Sequence, residues 1–371
     1  MTHKILVPLD GSPLSEQAIP YAEALAKHTD ADLMFMRAVL TATLAPAVNT
    51  FNQMLREGGR EYLDMHVAAA RQLGLRAEGH LWEDEAGYSI LKMVETRSLD
   101  LIVMSTHGRS GLGRVVWGSV ADYVLRHTPV PMLLIPRDVE ARWTDMTRPR
   151  FVVPLDGSAF AEEALPAAEE LARVFNGEIE LVEVVEPSVW LIDAGDPWAS
   201  YSFEPSVLEI EHQQTETATH YLDKLATTLS EKGIPVSLTV ATGRAPSVIR
   251  QAAREGQACA IVMATHGRGG PSRMLMGSVT DAVVRFARMP VLVVRPSAVR
   301  QAAEPTQPAM ISAERNLALA LTHSELDLMR TALQHVINNA HGGGDLVPAF
   351  DLMDRLNQVH GPEPSPLSAR R

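Results

Sequence analysis

Two stretches of the chain gather glycine, arginine, histidine and serine and contain no acid: STHGRSGLGRVVWGS at 105–119 and ATHGRGGPSRMLMGS at 264–278. Glycines let backbone N–H groups approach a ligand closely. Arg109 and Arg114 in the first stretch, and Arg268 and Arg273 in the second, add positive charge. If each stretch runs into a helix, the first turn of that helix supplies further N–H donors and the positive end of a dipole. The chemistry these residue types suit is the cradling of phosphate. A Walker loop would need Gly-Lys-Ser/Thr, and a dinucleotide fold G-x-G-x-x-G between its first strand and first helix. Neither is present.

Other residue pairs repeat with the loops. Asp10 and Asp156 each follow an apolar run in VPLDGS. Each can hold the following Gly-Ser turn through its carboxylate, an Asx-type role, or face a ligand. Ser119 and Ser278 open SVAD and SVTD, a serine-to-acid capping spacing, and a serine there can also face a phosphate. His107 and His266 can tie the loop to its surroundings or reach a ligand. Neither has a sequence-evident nucleophile or carboxylate partner, so no catalytic residue is assigned.

The elements that must position these residues follow from the repeat. ILVPLDGSPLSEQAIPYAEALA at 5–26 realigns on FVVPLDGSAFAEEALPAAEELA at 151–172. The offset is 146 residues there and 159 at the glycine loops, which places an insertion around 186–206 in the second copy. In the first copy, short apolar runs predict strands at Ile5–Leu9, Leu33–Val39, Arg76–Leu81, Leu101–Ser105 and Met132–Ile135. Helical spacing falls near 13–29, 50–73, 87–97 and 119–127. Pro20 and Pro166 lie inside the first helix of each copy, where a tolerated kink is expected. Nearly all-apolar strands mean burial on both faces, so the fold class is α/β: two doubly wound, open, parallel five-stranded sandwiches. Ligands of such sheets bind at the carboxyl ends of the strands, where Asp10 and the glycine loop both fall.

Composition narrows the partners. The 371 residues carry a formal charge of −12 and are 46% hydrophobic and 21% charged. That is ordinary for a folded globular protein and offers no general attraction to nucleic acid or an anionic membrane. No apolar run approaches membrane-spanning length and the start shows no leader, so a cytoplasmic location is expected. The single cysteine, Cys259, excludes an internal disulfide and reads as a core residue.

These motifs resemble the universal stress protein family, in tandem. The family's ATP signature is G-x-x-G, nine residues, then Gly-Ser/Thr. Both loops keep its spacing, although Ser105 and Ala264 replace its first glycine and Pro271 removes one donor from the second loop. The resemblance implies domains at 1–138 and 148–297, of the adenine nucleotide alpha hydrolase-like, Rossmann-like class. It implies that Pro8, Leu9, Asp10 and Ala38 meet base and ribose, that Gly108, Arg109, Gly118, Ser119 and Val120 surround the phosphates, and that Met104, Ser105 and His107 complete the wall. The matching second set is Pro154, Leu155, Asp156, Val184, Met263, Ala264, His266, Gly267, Arg268, Gly277, Ser278 and Val279. ATP, with magnesium on its phosphates, is the implied ligand, AMP and cyclic AMP remaining open, and no residue is assigned as a metal ligand. The family also pairs domains through the fifth strand, which implies an intrachain pseudo-dimer here and leaves a further homodimer open.

Residues 298–371 lie outside that resemblance. They read as a linker, a helical hairpin with a Thr322/Glu325 capping box and a glycine stop at 342–344, and a disordered end. The hairpin could pack on the domains or take a protein partner. Three functions remain open at this level: a nucleotide-binding stress or signalling protein with slow or no hydrolysis, a true ATPase, and an interaction protein with vestigial sites.

Overall fold

The computed structural model describes residues 3–40, 46–106, 118–139, 148–186, 205–267 and 276–297. In the first half, β1 (Lys4–Pro8), β2 (Asp32–Ala38), β3 (Ala77–Trp82), β4 (Leu101–Ser105) and β5 (Met132–Ile135) alternate with helices. The helices are α1 (Pro13–Glu16), α2 (Ile19–Thr29), α3 (Pro46–Gln72), α4 (Ala86–Arg97) and α5 (Ser119–His127). The second half repeats the order with β6 (Arg150–Leu155), α6 (Ala159–Glu162), α7 (Leu165–Val174), β7 (Glu178–Val185), α8 (Pro205–Glu231), β8 (Val236–Thr242), α9 (Ala245–Glu255), β9 (Ala260–Ala264), α10 (Ser278–Phe286) and β10 (Val291–Val294).

All ten strands form one sheet, ordered β3-β2-β1-β4-β5-β10-β9-β6-β7-β8. Every described pairing is parallel except the central one, where β10 runs antiparallel to β5 with Leu292 opposite Leu133. Within each half the chain starts in the middle of the sheet, at β1 or β6, and winds outward to both sides. That reversal places the switch point between β1 and β4 in one half and between β6 and β9 in the other.

The inner strands are buried because helices cover both faces, while the edge strands β3 and β8 keep exposed and half-buried positions. Ile5, Val7, Leu33, Phe35, Phe151, Val153 and Leu181 belong to one core. Leu6, Met34, Met36, Ile102, Val152, Val182 and Ile261 belong to the other. Alternate residues of a strand thus serve opposite layers. Cys259 lies in the first of these cores with no exposure, and its burial raises the thiol pKa.

The first predicted helix is two helices. Ser12 accepts a hydrogen bond from the Ser15 amide to start α1, the chain turns through Gln17 and Ala18, and Pro20 sits in the first turn of α2. Ser158 and Pro166 repeat this in α6 and α7. Proline is accommodated there because a first-turn residue donates no intrahelical hydrogen bond, so the expected kink is a helix start. The insertion around 186–206 falls largely in 187–204, and the expected linker and hairpin in 298–371; both segments lie outside the described residues.

Candidate nucleotide site

The end of β1 makes a tight turn. Gly11 has φ 83°, which is open to glycine without strain. Asp10 Oδ1 accepts from the Ser12 amide at 2.9 Å. In the second half Gly157 has φ 77°, and Asp156 Oδ1 accepts from the Ser158 amide at 3.0 Å and its hydroxyl at 2.6 Å. Both aspartates therefore fill the Asx-type role, each using Oδ1.

The second carboxylate oxygen of Asp156 points across the switch point. A Cβ built on Gly267 would lie 2.1 Å from Asp156 Oδ2, so only glycine lets the chain leaving β9 pass so near that carboxylate. Beside it, Gly277 N–H donates to the Thr265 carbonyl at 2.8 Å, and a Cβ on Gly277 would press on that oxygen at 3.0 Å. In the first half Gly118 N–H donates to the Thr106 carbonyl at 2.9 Å. One backbone hydrogen bond thus clips the two ends of each glycine loop together, next to the aspartate turn.

These clips also orient the helices that follow. Gly118 and Gly277 are the N-cap residues of α5 and α10, and neither supplies a side-chain cap. Ser119 and Ser278 are therefore first-turn residues, not the caps their SVAD and SVTD spacing suggested, and both are exposed at the rim. A helix start with no side-chain cap leaves its first amides for solvent or an anion.

An apolar wall stands on one side of each mouth. Ala38, Met104 and Val120 pack on the same core layer, as do Val184, Met263 and Val279 in the second half. Ala38, Val184, Val120 and Val279 are only half-buried, so they can offer a surface to a flat apolar group. Leu9 and Leu155 belong to the opposite layer and are buried, Pro8 is half-buried and Pro154 buried. Ser105 is 5% exposed; the Ala264 carbonyl accepts from Thr280 Oγ1 at 2.8 Å. Both small replacements of the signature's first glycine are thus accommodated at a strand end. His266 is 9% exposed, with Nδ1 2.9 Å from Thr265 Oγ1, an anchoring role. His107, Gly108, Arg109 and Arg268 lie outside the described residues.

The structure brings in residues that motif reading passed over. Thr106 and Thr265 hold the loop clips. Tyr62 Oη donates to Glu16 at 2.8 Å, and Tyr221 Oη donates to Glu162 at 3.0 Å. These contacts tie the long helices α3 and α8 to the short helices beside the aspartate turns. Burial first, then the neighbouring glutamates, push both phenol pKa values up. The repeat alignment carries the signal: the glutamates recur at the offset of the first strand, the tyrosines at that of the glycine loops.

Comparison with known proteins agrees with this geometry. The model of the universal stress protein family matches residues 1–136 and 147–295. A universal stress protein of Mycolicibacterium smegmatis is 26% identical over 302 residues, covering 79% of this chain and 97% of that protein. One of Mycobacterium tuberculosis is 28% identical over 307 residues, covering 80% and 98%. The crystal structure of a universal stress protein from Archaeoglobus fulgidus superposes with a TM-score of 0.60 at 21% identity, covering 80% of this chain and 99% of that one. With both halves matched by the family model and the same α/β architecture in each, the chain belongs to the universal stress protein family.

Proposed function

We propose that each half binds one adenine nucleotide, ATP being the leading candidate, and that the protein acts through what its loaded surface can engage and not through turnover. The observation that carries the reading is the convergence at each switch point: a strand-end carboxylate, a clipped glycine loop and a helix start whose cap has no side chain. Bound there, the nucleotide's phosphates would meet the first-turn amides and serines of α5 and α10. Its base would lie against Ala38, Met104 and Val120, or Val184, Met263 and Val279, and its ribose would meet Asp10 or Asp156. Arg109 and Arg268 would neutralise phosphate charge, as the family signature implies, and magnesium carried in with the nucleotide would add to that neutralisation. Slow or absent hydrolysis is the expectation because, among the described residues, Asp10 and Asp156 hold their own turns through Oδ1 and His266 is anchored to Thr265.

We also propose that the β5–β10 pairing is the intrachain counterpart of a two-domain dimer. The test of the binding reading is mass spectrometry of small molecules released on denaturing the freshly purified chain, with calorimetry against Mg-ATP. Up to two adenine nucleotides per chain are expected. Neither retained nor titratable nucleotide would leave an interaction protein with vestigial sites as the better reading.

A further inference from the structure

The two halves differ at one buried position beside the proposed sites. Arg37 in β2 and Glu183 in β7 occupy the same place: Met36 pairs with Pro8 and Val182 with Pro154, so each is the next residue along its strand. Glu183 pairs with Leu155, the residue before Asp156, and Leu9 N–H, the residue before Asp10, donates to the Met36 carbonyl at 2.7 Å. Arg37 is 9% exposed and Glu183 5%. Each faces the layer that holds the tyrosine and glutamate of its half. The Arg37 guanidinium lies 4.9 Å from the centre of the Tyr62 ring, with Glu16 on the Tyr62 hydroxyl and His66 3.6 Å from Glu16. Leu225 stands at the position of His66 in the second half.

The two equivalent positions therefore carry groups of opposite sign. Around Tyr62, burial, Glu16 and Asp10 push the phenol pKa up while Arg37 pulls it down. Around Tyr221, burial is joined by Glu162, Glu183 and Asp156, all pushing up. Where the first half sets a guanidinium against two carboxylates, the second sets a third carboxylate. Among the described residues no group of acids or histidines is arranged to hold a metal ion. The outer rim exchanges charge the other way, Asp84 and Glu85 giving way to Gly243 and Arg244, but Asp84 and Arg244 are exposed and screened.

Resting on the nucleotide reading, we propose that Arg37 and Glu183 rank the two sites for anionic nucleotides: the first half takes a phosphorylated nucleotide at low concentration, and the second takes it only at higher concentration. Exchanging a positive for a negative buried charge near a polyanion, at an effective dielectric of some tens, corresponds to roughly a tenfold or larger difference in affinity. An uncharged nucleoside would feel almost none of it.

The experiment is equilibrium dialysis of the full chain with Mg-ATP and, separately, adenosine. Ser278→Asp and Ser119→Asp each place a carboxylate at one phosphate-binding helix start, leaving the other half to report. ATP is expected to bind the Ser278→Asp chain roughly tenfold or more tightly than the Ser119→Asp chain. Adding Glu183→Arg to the latter should close most of the gap and Glu183→Gln about half of it, while Arg37→Glu added to the former should weaken binding by a similar factor. Adenosine binding should be nearly the same for both halves. Equal ATP affinity in the two halves, or a gap just as large for adenosine, overturns the ranking and leaves nucleotide binding intact. Absence of ATP and adenosine binding in the unmodified chain overturns both.

Discussion

A single hydrogen atom decides the fit at Gly267. Its would-be Cβ lies 2.1 Å from Asp156 Oδ2, and Asp156 is itself held by two hydrogen bonds from Ser158, so the carboxylate cannot swing aside cheaply. Gly267→Ala should destabilise the chain by about 1–3 kcal/mol, read from urea unfolding, and weaken nucleotide binding in the second half. Tyr221→Phe removes the hydroxyl that reaches Glu162. Its cost should be about 0.5–1.5 kcal/mol in the same assay, the usual range for one hydrogen bond. The glycines and aspartates of this rim were legible as motifs because their backbone demands leave few alternative residues. Arg37 and Glu183 were not, because a charged residue inside a strand pattern carries no local geometric requirement. Only register placed them beside the aspartate turns.

Strands and helices were legible where burial imposes periodicity. The runs at 101–105 and 132–135 become β4 and β5 with those bounds. The first helix was misread because apolar spacing continues unbroken through Gln17 and Ala18. The break comes from the serine cap before α1 and the proline inside the first turn of α2, features that spacing does not register. The serine cap of α5 was misplaced by one residue because glycine caps through its backbone alone. Between elements, α7 is tied to the end of α8 by Glu169, which receives Lys232 Nζ at 2.7 Å and Arg173 Nη2 at 2.8 Å. Burial opposes ionisation of Glu169, yet the two cations together hold its pKa below the ordinary carboxylate value. Because the folded pKa is depressed, the stability from this contact is present above the unfolded carboxylate pKa and is lost as pH falls through the folded one. Lys232→Ala should therefore cost about 0.5–1 kcal/mol at neutral pH, and its difference from the unsubstituted chain should shrink as pH falls below the carboxylate range, followed by urea melts across pH.

At the scale of the molecule, the two halves share one sheet. Leu133 and Leu292 meet across the antiparallel junction. The Arg295 guanidinium reaches the Arg126 carbonyl across it, and α5 and α10 each carry a paired Asp-Arg ladder, Asp122 with Arg126 and Asp281 with Arg285. Asp281 also stabilises charged Arg126, and Asp122 charged Arg285, so the ladders face each other. Ile261 N–H donates to the Pro290 carbonyl and Thr265 N–H to that of Val294, so the even residues of β10 face β9 and the odd ones face β5. Val293→Pro should break the junction, since proline cannot donate to the ladder. Calorimetry should then resolve two unfolding transitions, where one is expected of the intact chain. Among the described residues no helix is long and apolar enough to cross a membrane.

The antiparallel seam has an evolutionary consequence. Where two identical subunits meet about a two-fold axis, every substitution appears twice and any gain on one side is copied on the other. Covalent linkage removes that constraint: β5 and β10 keep the approximate symmetry of the seam, while positions away from it can drift apart. Arg37 and Glu183 are such a pair, an inversion of charge that a symmetric assembly of one gene product cannot encode.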